Sequence, residues 1–80
     1  MSWNYRVLKR NNGKSDYYAI HEVYYRPDDT PEYWTTASIR PYGRSPAELQ
    51  EDLSHMREAL QQPILQEVTK NGEEILEEIN

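Results

Sequence analysis

The stretch DYYAIHEVYY, residues 16–25, constrains the fold more than any other part of the chain. Its aromatic and β-branched residues favour an extended strand. Successive side chains of a strand point to opposite faces of the sheet. The doublets Tyr17–Tyr18 and Tyr24–Tyr25 therefore put a large ring on each side of the sheet that this strand joins. Tyr17, Ala19, His21, Val23 and Tyr25 face one way, and Tyr18, Ile20, Glu22, Tyr24 and Arg26 the other. Neither set is plainly the solvent side.

The flanking segments supply partners for this strand. WNYRVLK alternates Trp3, Tyr5 and Val7 against Asn4, Arg6 and Leu8, a strand signature of period two. Asn11, Asn12 and Gly13 between the two runs tolerate the positive φ that a hairpin loop requires. RPDDTPE reads as a turn punctuated by Pro27 and Pro31, and YWTTASIR as a third alternating strand that ends at PYG. Short connections predict an antiparallel meander with strands at about 3–10, 17–26 and 33–40.

A helix is predicted over about 46–62. Ser45 is a suitable N-cap, Pro46 fits the first helical position, and Glu48 completes a capping box. Leu49, Leu53, Met56 and Leu60 recur at spacings of four, three and four and form one apolar stripe. Pro63 ends the helix. After it, Ile64, Leu65 and Val68 read as a short extended piece that could add a fourth strand. Ile75, Leu76 and Ile79, at helix-like spacing among glutamates, suggest a frayed helical tail. Asn71–Gly72 fits either a hairpin or the end of a helix. The expected architecture is a single α+β domain over 1–80. It is a three-stranded antiparallel sheet packed on one amphipathic helix, with an acidic tail over 64–80.

A domain of 80 residues buries only about 60% of the surface its unfolded chain exposes, so it is marginal by itself. Such chains lean on disulfides, metals or oligomerisation. There is no cysteine and there are only two histidines, which disfavours a disulfide framework or a zinc site and leaves economical packing or self-association. No apolar run approaches the length of a bilayer span, and the first ten residues resemble neither a signal nor a transit peptide. The expectation is a soluble, cytoplasmic protein.

One helix can cover one flank of the sheet. Placing Tyr5, Val7, Ala19, Val23 and Ile39 beneath it leaves Leu8, Tyr18, Ile20, Tyr24 and Trp34 on the open flank, fringed by arginines. The register between the first two strands is not fixed by the sequence, and a slip of one residue would exchange the faces. Tyr, Trp and Arg anchor interfaces. Tyr18, Tyr24, Trp34 and Arg26 are therefore the candidate partner-binding residues, the partner being a second copy (a homodimer) or another protein.

Aromatics interleaved with arginines are also how single-stranded nucleic acid is stacked upon. Arg6, Arg10, Arg26 and Arg40 are the candidate phosphate contacts in that alternative. The net charge of −5 opposes it. Residues 1–44 carry seven Lys/Arg against five acids, and residues 45–80 two against nine.

Enzymatic chemistry finds little support. His21 and Glu22 are neighbours on a strand and point apart, while His55 and Asp52 read as a solvated helix surface. Asp28, Asp29 and Glu32 lack the ligand spacing of a calcium loop. No glycine-rich phosphate loop or nucleophile elbow is present. A non-enzymatic protein without cofactor or metal is expected.

Gly43, Ser45 and Glu48 form a Gly–x–Ser–x–x–Glu pattern that opens a helix after three strands. In this the chain resembles the small HicB-like antitoxin domains, which have a βββα(β) layout. That resemblance implies a bacterial source and a regulatory, protein-binding role. The Pro–Gly signature usual before the family's helix is represented only by RPYG. The chain is also similar to small uncharacterised bacterial proteins that share WNYRV, YYAIHEVYY and PYG.

Overall fold

A computed structural model describes residues 2–79; Met1 and Asn80, the ends of the expected domain and tail, lie outside the described residues. The strands are β1 (Ser2–Asn11), β2 (Asp16–Tyr25), β3 (Pro31–Trp34), β4 (Ile64–Lys70) and β5 (Glu73–Ile79). Helix α1 (Pro46–Glu58) lies between β3 and β4 and is prolonged by a 3₁₀ turn, Ala59–Gln61. The fold is α+β, but the expected three-stranded antiparallel sheet is replaced by a mixed sheet in the order β3-β2-β1-β4-β5. β4 runs parallel to β1, with Leu8 beside Leu65, and the other neighbours are antiparallel.

The expected helical tail is instead the second strand of a hairpin. Asn71 and Gly72 both have positive φ, 53° and 78°, the requirement of a tight turn whose twist matches the strands. Pairing of Ile64 with Ile79 and Val68 with Ile75 puts four branched side chains on one face, while Leu65 and Leu76 take the other. Spacings of three and four among Ile75, Leu76 and Ile79 serve both faces of this strand.

The third strand is shorter than the expected 33–40. Thr35 N–H still donates to the Glu22 carbonyl, but Thr35 Oγ1 accepts the Glu22 N–H at 3.2 Å. A side chain thus takes a bond that the ladder would have used. Ile39 then donates to the Ile20 carbonyl, where continuing the Val23–Trp34 register would have placed Ala37. Two residues are looped out.

The loop Asn12–Ser15 sets Tyr5 opposite Glu22 and Val7 opposite Ile20. This is one residue from the pairing expected, and it exchanges the faces of β2. Ala19 and Val23 lie on the flank away from the helix, with Leu8 and Trp34. Tyr18, Ile20 and Tyr24 share the helix flank with Tyr5 and Val7. The larger core is on the helix-free flank: Leu8, Val23, Leu65 and Leu76, with Tyr25 and Trp34 packed against them. The sheet curls around it, bringing β3 and β5, its two edges, into contact. Trp34 Nε1–H donates to Glu67 Oε2 at 2.7 Å across this concave side.

The helix start follows the sequence closely. Ser45 Oγ accepts the Glu48 N–H at 3.2 Å, and Glu48 Oε1 accepts the Arg44 N–H at 2.9 Å. Its apolar stripe is seated only partly. Met56 and Ala59 are buried, but Leu49, Leu53 and Leu60 are exposed.

Candidate functional site

The helix flank carries two exposed regions separated by α1. The first surrounds its outer edge. Leu60 is 68% exposed and Tyr18 57%. Beside them a groove of about 470 Å³ is lined by Tyr18, Ile20, Ile39, Leu53, Met56 and Leu60. A smaller hollow of about 280 Å³ adjoins it, between Leu60, Tyr18, Val7 and Ile64. Ile64, Val68, Ile75 and Ile79 continue this apolar surface onto the hairpin, half-buried.

The second region is an aromatic row across the start of β1. Trp3 meets Tyr5 edge-to-face at 5.3 Å and lies 6.2 Å from Tyr24, which stacks on Tyr33 at 4.9 Å. Tyr5 Oη–H donates to Asp52 Oδ1 at 2.6 Å, and Asp52 Oδ2 accepts the Tyr42 N–H at 2.9 Å. These bonds, the one from Tyr5 first, hold the Asp52 carboxyl below the usual carboxylate range. Burial, then the bond to Asp52 and the charges of Asp52 and Glu22, push the Tyr5 phenol up. Tyr24 Oη–H donates to Glu22 Oε1 at 2.5 Å, and that bond is the main reason its phenol is also raised.

The four candidate partner residues are not brought together. Tyr18 and Tyr24 share a face, but they lie six residues apart along β2, roughly 20 Å at strand rise. Trp34 is on the opposite flank, half-buried and bonded to Glu67. Arg26 sits in the β2–β3 turn, with Nη1 near Thr30 Oγ1 (3.5 Å) and the Pro31 carbonyl (3.4 Å). Trp34 is separated because it pairs with Val23 rather than Tyr24 across β2 and β3, Tyr18 and Tyr24 are separated by their spacing along one strand, and Arg26 lies past the end of β2.

The candidate phosphate contacts are also divided. Arg6 is buried on the concave side, donating to Tyr25 Oη at 3.0 Å and to the Pro63 carbonyl at 2.7 Å. Arg10 pairs with Glu67 at 3.0 Å on the same flank. Arg26 and Arg40 are exposed. Sequence reasoning assigned Leu53 and Leu60 to the core and gave Trp3 no role.

His21 belongs to the concave core and is 2% exposed. Its Nδ1 lies 2.9 Å from the Thr35 carbonyl, so Nδ1–H is the donor. Burial lowers its pKa, helped by the nearby Arg10 charge and opposed by the Thr35 bond and Glu67. The unfolded chain, near 6.5, therefore binds a proton more readily than the folded one. The stability contributed by neutral His21 is present above pH 6.5 and is lost as the pH falls towards the lower folded value. Urea midpoints at about pH 7.5 and 5.5 should differ in the native chain and converge in His21→Gln. A native midpoint that does not move would contradict this burial.

Among the described residues, no three or more His, Cys, Asp or Glu are grouped to hold a metal ion. No described helix is long and apolar enough to cross a membrane. No protein-family model, curated protein or solved structure matches this chain.

Proposed function

We propose that this protein is a non-enzymatic interaction domain that works as a homodimer, formed through the apolar surface around the outer edge of α1. The observation that carries the reading is an excess of surface. The chain of 9.5 kDa exposes 6132 Å². A compact monomer of that mass exposes about 5,000 Å². Its radius of gyration, 13.5 Å, likewise exceeds the roughly 12 Å of a compact domain of this length. The excess, on the order of 1,000 Å², is close to the roughly 800 Å² that each partner contributes to a standard interface.

A second copy fits this surface because knob and hollow lie side by side on it. In a two-fold dimer the same patch serves both subunits, so each Leu60 can enter the other's hollow between Tyr18, Val7 and Ile64. An antitoxin-like role, as the HicB-like resemblance implies, is one instance of such a domain. The single-stranded nucleic-acid alternative is favoured by the row of Trp3, Tyr24 and Tyr33 alone. Glu22 and Asp52 border that row, and Arg6 and Arg10 are engaged on the other flank.

Leu60→Glu places a charge in the proposed seam without touching the monomer core. Sedimentation should show the variant at the mass of one chain with an unchanged circular dichroism spectrum. A variant that still sediments as a dimer would overturn the assignment of this surface.

A further inference from the structure

Between the aromatic row and the last turns of α1 lies a groove of about 370 Å³ that self-association through Leu60 does not use. Its walls are Trp3 and Tyr5 from β1, and His55, Glu58, Ala59 and Gln62 from the helix and the turn after it. With His55 counted neutral, as in the formal charge at pH 7, three features favour a cation there. The indole of Trp3, 49% exposed, lines the groove, and an aromatic ring carries an electron-rich face. Glu58 contributes a carboxylate, with Asp52 bound to the Tyr5 hydroxyl behind it. The groove also adjoins the helix C-terminus, where the unsatisfied carbonyls carry partial negative charge. No lysine or arginine lines it among the described residues.

The geometry points to a binding site for a cationic side chain, an arginine from a basic segment of a partner protein, stacked on Trp3 and paired with Glu58. A guanidinium satisfies both walls, since it lies flat on an aromatic face while its edge N–H groups reach a carboxylate. An anionic strand would instead meet Glu58, Asp52 and the helix C-terminus, all unfavourable.

The test is a ¹⁵N–¹H titration of the full chain with a short peptide carrying a central arginine, and with the same peptide carrying glutamate. The arginine peptide should move the Trp3 indole N–H and the Ala59 and Gln62 amides, leave the Trp34 indole in place, and bind more weakly as salt rises. Glu58→Gln, an exposed change that leaves the core intact, should weaken binding several-fold. Trp3→Ala should weaken it about tenfold, the loss of one good cation–π contact. Repeating the titration on Leu60→Glu should leave the Trp3 indole shift in place, because Gln62 is the one lining residue that the groove and the dimer hollow share. The proposal fails if Trp3 does not move, if Trp3 and Trp34 move alike, if the glutamate peptide binds equally well, or if Glu58→Gln binds undiminished.

Discussion

Replacing Leu8 with alanine is expected to cost about 2–5 kcal/mol, the range for deleting a fully buried leucine side chain. Leu8 is completely buried, lies on the central strand, and touches the layer formed by Val23, Leu65 and Leu76. A domain of this size has a total stability of roughly 4–12 kcal/mol, so the loss is a large fraction of it. The informative control is Leu49→Ala. Leu49 belongs to the helical stripe that the sequence marks as core, but it is 38% exposed, and its loss should cost only about 1 kcal/mol. Urea denaturation of both variants measures the contrast directly. Similar losses at the two positions would contradict a main core on the helix-free flank.

Gly43→Val is expected to be comparably damaging, for a different reason. A side chain at Gly43 would drive its first carbon into the helix backbone, 2.7 Å from the carbonyl carbon of Glu48 and 2.8 Å from the Leu49 Cα. Both are main-chain atoms of the first helical turn and cannot rotate away. Either α1 lifts from its seat or the 40–45 segment shifts. Overpacking of this kind costs about 1–3 kcal/mol and more where the obstacle is backbone. Gly13→Ala is the matching control: no atom lies within 4 Å of a side chain there, so only the strain of its φ of 94° is felt. A thermal melt should show Gly43→Val falling well below Gly13→Ala. The Gly43, Ser45, Glu48 pattern thereby acquires a local account: the glycine admits the helix backbone, the serine caps it, and the glutamate reaches back to the Arg44 N–H.

The legible parts of the fold were those decided by neighbours in sequence. The cap at Ser45, the proline-terminated helix and the first hairpin depend on residues a few positions apart, and their chemistry is visible in the chain. Register was not of that kind. Both faces of β2 carry rings and aliphatics, so no polar pattern chose between them, and the four residues Asn12–Ser15 decided it. β4 was legible as a possible short fourth strand, but its parallel pairing was hidden because its neighbour β1 is more than fifty residues away. The β4–β5 hairpin was hidden because Asn71–Gly72 closes a hairpin as readily as it ends a helix.

Tyr18 was expected on the flank opposite the helix; it is exposed, but on the helix flank, beside the groove proposed for the dimer. Trp34 was assigned to the same face, but the register carried it to the far side, where Glu67 holds it. Leu53 and Leu60 were hidden by their pattern. A stripe of four apolar helical positions ordinarily marks a core, but here only Met56 is buried and the other three are exposed.

The central claim is that one copy of this chain leaves more surface uncovered than a compact monomer of its mass, and that a second copy covers the part around Leu60. Light scattering coupled to size exclusion, run from high to low micromolar protein, tests it most directly. The account predicts a particle of twice the 9.5 kDa chain mass, dissociating only on dilution. A particle of 9.5 kDa at every concentration would contradict it.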